Sequence, residues 1–547
     1  MPEQGDRGNR RGVAVARALL LARSGLAATL LLGECKTVTP CARCDTLVIA
    51  ATGEPSALLP PLVGETVGRD VSDLIFERLA ELPGGGSPLD SSAYRPRLAV
   101  RWERVDSLTL RFHLRPGARW QDEAPLTASD VVFSFGAYAD RALEAQAGPA
   151  VERVRASAPD DSTVLLRFPA PDPEQWYDAT WHVRILPRHL WDSIPRARWA
   201  ADTATARLIG SGAFRLSEWR RGQSLTLRRR PGTERAALQR VVWRFAGEQD
   251  AALNLLLSHE ADLLEAVGDS ARVARVEADP ALQALPYPSA VYGFLGFNLA
   301  GRSTPWHRKE LRKALALATD RETAAHGALG AKAAAPPGPM SRVLWIADAS
   351  VAVTPYDSAA AAKGFDAAGW PRGSDGMRRR GQQSLSVDIL VPATSATRRN
   401  LAQILQEQWR RAGVRTTISS VDFPVFQQRL RTGQFESFVG AWLDEPSPRG
   451  LAQQWTSAGV GSLNYCGYRS AAFDSLFARA AQLRGTLGAA RQAWREALDT
   501  LNADVPAIWL YTPTNVAGAT RRLSGITVDP WSWLATLESW HLGSGAQ

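Results

Sequence analysis

The chain has 547 residues, a formal net charge of +9, and 45% hydrophobic against 22% charged residues. Such a length exceeds one ordinary hydrophobic core, so two or three compact units are expected, and no apolar run reaches the roughly 18 residues that a membrane span requires. The positive charge is carried almost wholly by Arg, with Lys only at positions 36, 309, 313, 332 and 363; the Arg clusters at 228–230, 378–380, 410–411 and 521–522 are dispersed over predicted strand ends, loops and helix faces, which argues against a phosphate-binding face and a nucleic-acid partner.

In chain order, Arg7, Arg10, Arg11, Arg17 and Arg23 precede the apolar stretch from Gly25 to Gly33, too short to span a bilayer but suited to the hydrophobic region of a signal peptide. Residues 1–44 are therefore read as an export signal and N-terminal tail, with a downstream translation start left open. Cys35 stands where a lipoprotein cysteine would, yet Glu34 occupies the preceding position, which lipoprotein signals fill with a small residue. Lipidation of Cys35 and a plain cleavable signal are both open, and contact with a membrane surface is expected only with the lipid. Cys41 and Cys44 have the two-residue spacing of zinc and redox sites, but a structural zinc wants four ligands, and in an exported chain a Cys41–Cys44 disulfide is favoured.

A strand is predicted over Asp45 to Ala51, closed by the loop Gly53-Glu54-Pro55, then a helix around Asp70 to Leu82 and a flexible turn at Pro83-Gly-Gly-Gly86. Leu108, Leu110, Phe112 and Leu114 alternate with Thr109, Arg111 and His113, the period of a half-buried strand. Pro116-Gly117 breaks that ladder. Thr127-Ala-Ser-Asp130 then offers a hydroxyl to free N–H groups and an acid to the positive helix end, so a helix should begin near Ala128. From Gly210 to Asp262 the pattern is strand, strand and helix, ending in a buried strand over 261–264. Beyond the apolar run Val291 to Asn298 come a helix over Lys309 to Ala318, a strand over Leu385 to Val391, a helix over Arg399 to Ala412 with Leu401, Ile404, Leu405 and Trp409 on one stripe, and a strand over Arg415 to Ser419. Ile508 to Thr512 is a last strand, and the tail from Val516 to Trp540 has the composition of packed structure.

Catalytic motifs are missing. His259-Glu260 lacks a second His at Leu263, there is neither a G-x-S-x-G elbow nor a G-x4-G-K loop, and the seven His are scattered singly. No catalytic residue, metal site or cofactor is expected, and binding is the anticipated activity.

The string PRLAVRWERVDSLTLRFHLRPGARWQDEAPLTASDVVFSF, from Pro96 to Phe135, resembles the signature of the family 5 extracytoplasmic solute-binding proteins, the peptide, nickel and haem receptors of ABC importers. Gly210-Ser-Gly-Ala-Phe with Trp219 and Gly222-Gln223, Glu260-Ala-Asp262, Gly296-Phe297-Asn298, Glu310 to Glu322, Asn464-Tyr465 with Gly467-Tyr468, and Val505-Pro506-Ala507 resemble further elements in the same order. The resemblance covers nearly all of the chain after about residue 46. It implies an α/β fold, the two-lobed periplasmic-binding-protein clamshell of type II (cluster C-like) with an extra strand-rich subdomain in lobe I. The implied division is 45–85, 206–290 and 516–547 for the lobe I core, 86–205 for the subdomain and 291–515 for lobe II. Two crossings, near residues 290 and 515, would form a hinge around a cleft.

The same resemblance implies a role for Gly440-Ala-Trp-Leu-Asp444: in the peptide receptors an Asp at this place accepts the ligand's α-ammonium group, and Asp444 matches it without a gap. A solvated loop acid or a helix N-cap is the plainer alternative. Trp442 and Phe423 are either flat apolar walls for ligand side chains or core residues, and Glu54 is a weaker ligand candidate or a solvated turn acid. Dipeptide-specific members carry an Arg shortly after the strand that here ends at Leu390-Val391; Val391-Pro-Ala-Thr394 stands there instead, with Arg398 and Arg399 a turn farther on. The expected ligand is an oligopeptide or a similar amphipathic solute, the expected partners are the permease subunits of an ABC importer, and the protein should be a monomer. The alternative is a metal (nickel, haem or zinc) or redox protein using Cys35, Cys41 and Cys44.

Overall fold

The computed structural model describes residues 45–543 apart from 203, 233–235 and 301–303, so the N-terminal segment with Cys35, Cys41 and Cys44 lies outside the described residues. The strand Thr46–Ala51 is apolar throughout after its first residue because both of its faces are covered: Leu47 and Ile49 enter one core, Val48 and Ala50 another. It pairs in parallel with Arg240–Phe245 and Leu263–Leu264. The hairpin Phe214–Arg220 and Ser224–Arg229 extends this seven-stranded sheet on one side, while Leu282–Pro288 and Thr514–Thr520 close the other.

The second sheet has five strands, in the order Arg415–Val421, Ser386–Pro392, Ser437–Leu443, Val291–Phe297 and Ala507–Tyr511. Alternation again feeds two cores, Leu295 and Phe297 to one face, Tyr292 and Phe294 to the other. Ser289-Ala290 carries the chain from Leu282–Pro288 of the first sheet into Val291–Phe297 of the second, and Thr512-Pro513 carries it back into Thr514–Thr520. Ser289 N donates to Pro513 O at 3.3 Å, joining the two links. The tail then returns to the first core, where Trp533, Leu534, Leu537 and Trp540 pack with Leu47 and Ile49.

A separate four-stranded antiparallel sheet holds Thr109–Leu114 between Ala99–Arg104 and Thr163–Arg167, with Arg155–Asp160 at its edge. Leu110, Phe112 and Leu114 are buried as their alternation requires. The helix Ala128–Ala139 starts where the cap predicts, with Asp130 Oδ2 accepting from Thr127 N at 2.9 Å and Oδ1 from Arg188 N at 2.9 Å.

Two helices depart from the sequence expectation. The first spans Thr66–Ile75 rather than 70–82. Its C-terminus is fixed from outside, because the Ile75 carbonyl accepts Gly212 N at 2.8 Å from a distant hairpin. The long lobe II helix spans Ala396–Arg411, three residues earlier than expected at its start, since Ser395 serves as its N-cap.

Gly210 and Gly212 make that first contact sterically feasible. A Cβ at Gly210 would lie 1.8 Å from Ile75 O, whereas a Cβ at Gly222, whose φ is +68°, would meet nothing within 4 Å. Gly210→Ala should therefore destabilise the protein by about 3 kcal/mol through overpacking against backbone, and Gly222→Ala by only about 1 kcal/mol through left-handed backbone strain. Urea unfolding of the two variants checks the order; equal losses would refute the close-approach account.

Candidate functional site

The parallel strands of both sheets point their carboxyl ends into the region served by the two links. From the first sheet Thr46–Ala51 runs out into Glu54; from the second, Arg415–Val421 leads to Phe423 and Ser437–Leu443 to Asp444. Open α/β sheets hold ligands beyond such strand ends, where loops converge without ladder hydrogen bonds of their own.

Asp444 is 7% exposed. Its Oδ2 accepts from Ser341 N at 2.6 Å, and its own N donates to Ala290 O at 2.8 Å, which ties it to one link. Burial pushes its carboxyl up to about 7, although hydrogen bonding from Ser341 pulls the other way. Among the described residues no Lys, Arg or His forms an ion pair with it. A buried carboxylate without an internal cation is costly to keep ionised, and it becomes favourable when a ligand supplies the cation.

Trp442 is half-buried and stacks on Tyr465, with ring centroids 6.0 Å apart and planes 17° apart. Phe423 is 42% exposed and stacks on Phe426 at 6.2 Å. Phe438 touches both Phe426 and Tyr465, so one run of rings connects the two candidates. Leu443, 57% exposed, adds apolar surface between Trp442 and Asp444 in the chain.

Glu54 is placed otherwise. Its Oε1 accepts from Trp219 Nε1 at 2.8 Å and its Oε2 from Gly222 N at 2.7 Å, and Arg221 stands 3.7 Å away. Both carboxylate oxygens thus brace the hairpin turn, and the structure does not bring Glu54 into contact with Asp444, Trp442 or Phe423. Near the strand end at Pro392, Arg398 lies over the Phe426 ring, 5.9 Å from its centroid, while Arg399 turns back to the Ala393 carbonyl.

Sequence reasoning missed a cluster that joins the segment after the strand Ser437–Leu443 to the turn and helix packed on the four-stranded sheet, in which Arg449 meets Asp172, Glu174 and Asp178. Its only signals are the acid-rich run Asp172 to Asp178 and a single Arg after Pro448, patterns that ordinary solvated loops share. Cys466 is buried against Gly296, and burial pushes its thiol up to about 12. Among the described residues, no group of three or more His, Cys, Asp or Glu is placed to hold a metal ion, and no helix is long and apolar enough to cross a membrane.

Residues 93–462 match the bacterial extracellular solute-binding proteins, family 5 Middle. The oligopeptide-binding protein AppA of Bacillus subtilis (strain 168) is 22% identical over 509 residues, covering 91% of this chain and 91% of that protein. The dipeptide-binding protein of Escherichia coli (strain K12) is 22% identical over 528 residues, covering 90% and 94%. Among solved structures, the ABC transporter substrate binding protein CtaP of Listeria monocytogenes superposes with a TM-score of 0.79 at 21% identity, over 91% of this chain and 99% of that one. NikZ of Campylobacter jejuni, solved with Ni(L-His), gives a TM-score of 0.71 at 21% identity, over 91% and 100%. The ordered motifs, the two-lobed type II fold and the matched span agree: the chain belongs to the family 5 bacterial extracellular solute-binding proteins.

Proposed function

We propose that the chain is the extracytoplasmic substrate-binding component of an ABC importer, and that it captures an oligopeptide or similar amphipathic solute between its lobes by the ligand's ammonium end. The observation that carries this reading is the Asp444 carboxylate, buried beside a link with no cation among the described residues paired to it. An ammonium group placed there forms a charge-assisted pair, which strengthens as closure excludes water. Trp442, Phe423 and Leu443 supply apolar surface without selecting one side chain, the arrangement suited to ligands that share a backbone and a terminal ammonium but differ elsewhere. The names of AppA and the dipeptide-binding protein support the ligand class. The lack of an Arg in Val391-Pro-Ala-Thr394 disfavours a strict dipeptide receptor, and the nickel–histidine chelate of NikZ is the competing ligand class.

Titration calorimetry with penta-alanine, its N-acetyl form, its C-terminal amide and Ni(L-His) tests this. Loss of one partner of an enclosed charge pair costs about 2–5 kcal/mol, so Asp444→Asn should weaken penta-alanine by roughly 30-fold or more. N-acetylation should weaken binding to the wild type equally and add nothing in Asp444→Asn, while amidation should leave affinity within about twofold. Unchanged affinity in Asp444→Asn defeats the anchor assignment, and tight Ni(L-His) binding without peptide binding defeats the peptide reading.

The pH dependence has a definite sign. The ligand-free carboxyl is raised to about 7 by burial, and a bound ammonium stabilises its ionised form. Below about pH 7 the ligand must therefore displace a proton, and affinity should fall as pH is lowered, by at most about tenfold per unit. Glu174, also raised to about 7 by burial, titrates in the same window. Subtracting the Asp444→Asn profile isolates the Asp444 contribution. A wild-type profile parallel to that of Asp444→Asn from pH 8 to 6 would refute the proton displacement.

A further inference from the structure

Arg449 lies on the second lobe, six residues beyond the end of the strand Ser437–Leu443, yet its guanidinium is held by the first. Its Nη2 and Nη1 lie 2.5 and 3.3 Å from the two oxygens of Asp178, Nη1 lies 3.4 Å from Asp172 Oδ1, and Nε lies 2.6 Å from Glu174 Oε2. The acceptors sit on the turn and short helix at 172–180, whose Trp176 and Tyr177 are fixed in the core of the four-stranded sheet with Leu110 and Phe112. Two lesser contacts join the same segments in opposite directions: Ser447 Oγ donates to Glu174 Oε2, and Tyr177 Oη donates to Glu445 Oε2 at 3.4 Å. The side chains of Glu174 and Asp178 are only 3% and 10% exposed.

We infer that Arg449 is the latch that holds the lobes shut, a positioning residue for capture that acts through the rigid segment 444–449. Burying three acids this close costs hydration on closure, and Arg449 is the group from the other lobe that meets all three; His182 Nε2, 3.6 Å from Asp178 Oδ1, belongs to the same lobe as the acids. With the lobes apart, water solvates Arg449 and the acids alike. The planar guanidinium also matches the two oxygens of Asp178 in a way an ammonium does not. The segment is stiff: Pro446 and Pro448 fix their backbone angles, and Ser447 caps the short helix Pro448–Gly450. At its start Asp444 is bonded to Ala290 in one link, so a shift at the hinge and the seating of Arg449 are parts of one movement.

The coupling of the latch to ligand rests on Asp444 being the anchor; the latch itself does not, and the two are separable. Small-angle scattering of the ligand-free full-length protein compares wild type with Arg449→Met, Arg449→Lys and Asp178→Asn. The closed-to-open ratio should fall by tenfold or more in Arg449→Met. Asp178→Asn, on the opposite lobe, should fall in the same direction, and Arg449→Lys should be intermediate. Unfolding midpoints by circular dichroism establish that each variant is folded, and if Arg449→Met is not, Asp178→Asn decides alone. Scattering of folded variants that overlays the wild type overturns the latch. If the variants open but release penta-alanine at the wild-type rate, the latch stands and its coupling to the ligand site is refuted; a tenfold faster release with unchanged association supports both.

Discussion

Each large sheet of this molecule has its own flanking helices and cores, and among the described residues the chain passes between them only at Ser289-Ala290 and Thr512-Pro513. These links run side by side and are joined by the Ser289–Pro513 hydrogen bond. Two short adjacent connections permit rotation about one line far more readily than twist or translation. The constraint explains why the candidate anchor lies where it does. A carboxylate beside the axis stays near both lobes through any rotation, so it can engage a ligand before closure and keep it afterwards.

Buried charge is handled in two contrasting ways. Within the second lobe, Arg312 is 5% exposed and donates to the carbonyls of Val505, Asp504, Trp306 and His307, and burial lowers its pKa to about 10. Those bonds hold Val505 at a φ of +48°, a conformation that a β-branched residue resists, and so set the turn that launches the strand Ala507–Tyr511. Here four backbone carbonyls share the donors of the guanidinium, and among the described residues no carboxylate forms an ion pair with it. Asp444 is met more sparsely, by the single backbone donor Ser341 N and, among the described residues, by no paired cation, and this incompleteness separates a candidate binding group from a structural one.

Local rules made much of the fold legible in the sequence. The alternation from Leu108 to Leu114 and the acid at Asp130 located a strand and a helix start because both depend on residues within a few positions. The first helix was misplaced because its end depends on Gly212, well over a hundred residues away. Glu54 and Asp444 illustrate the same limit at the site. Each is a loop acid just past a strand, and their neighbours in sequence do not distinguish them. What separates them is that Trp219 and Gly222 fold onto Glu54, whereas Ser341 is the partner of Asp444. Arg449 was invisible for a related reason: its partners lie 271 to 277 positions earlier, and nothing local marks an arginine as one whose charge is met only when two lobes come together.

Cys466 lies beneath the strand Val291–Phe297, in space that Gly296 leaves open, and its thiol is pushed up to about 12. Nucleophilic attack on an oxidant or a disulfide requires the thiolate, which is scarce at neutral pH for such a group, and the packed strand also denies approach. The folded chain therefore shields this sulfur from thiolate chemistry. That shielding is a product of folding and has a time limit. Until the second sheet has assembled, the same thiol is an ordinary one, so the interval between the chain's emergence and the docking of Val291–Phe297 is when it is open to mispairing.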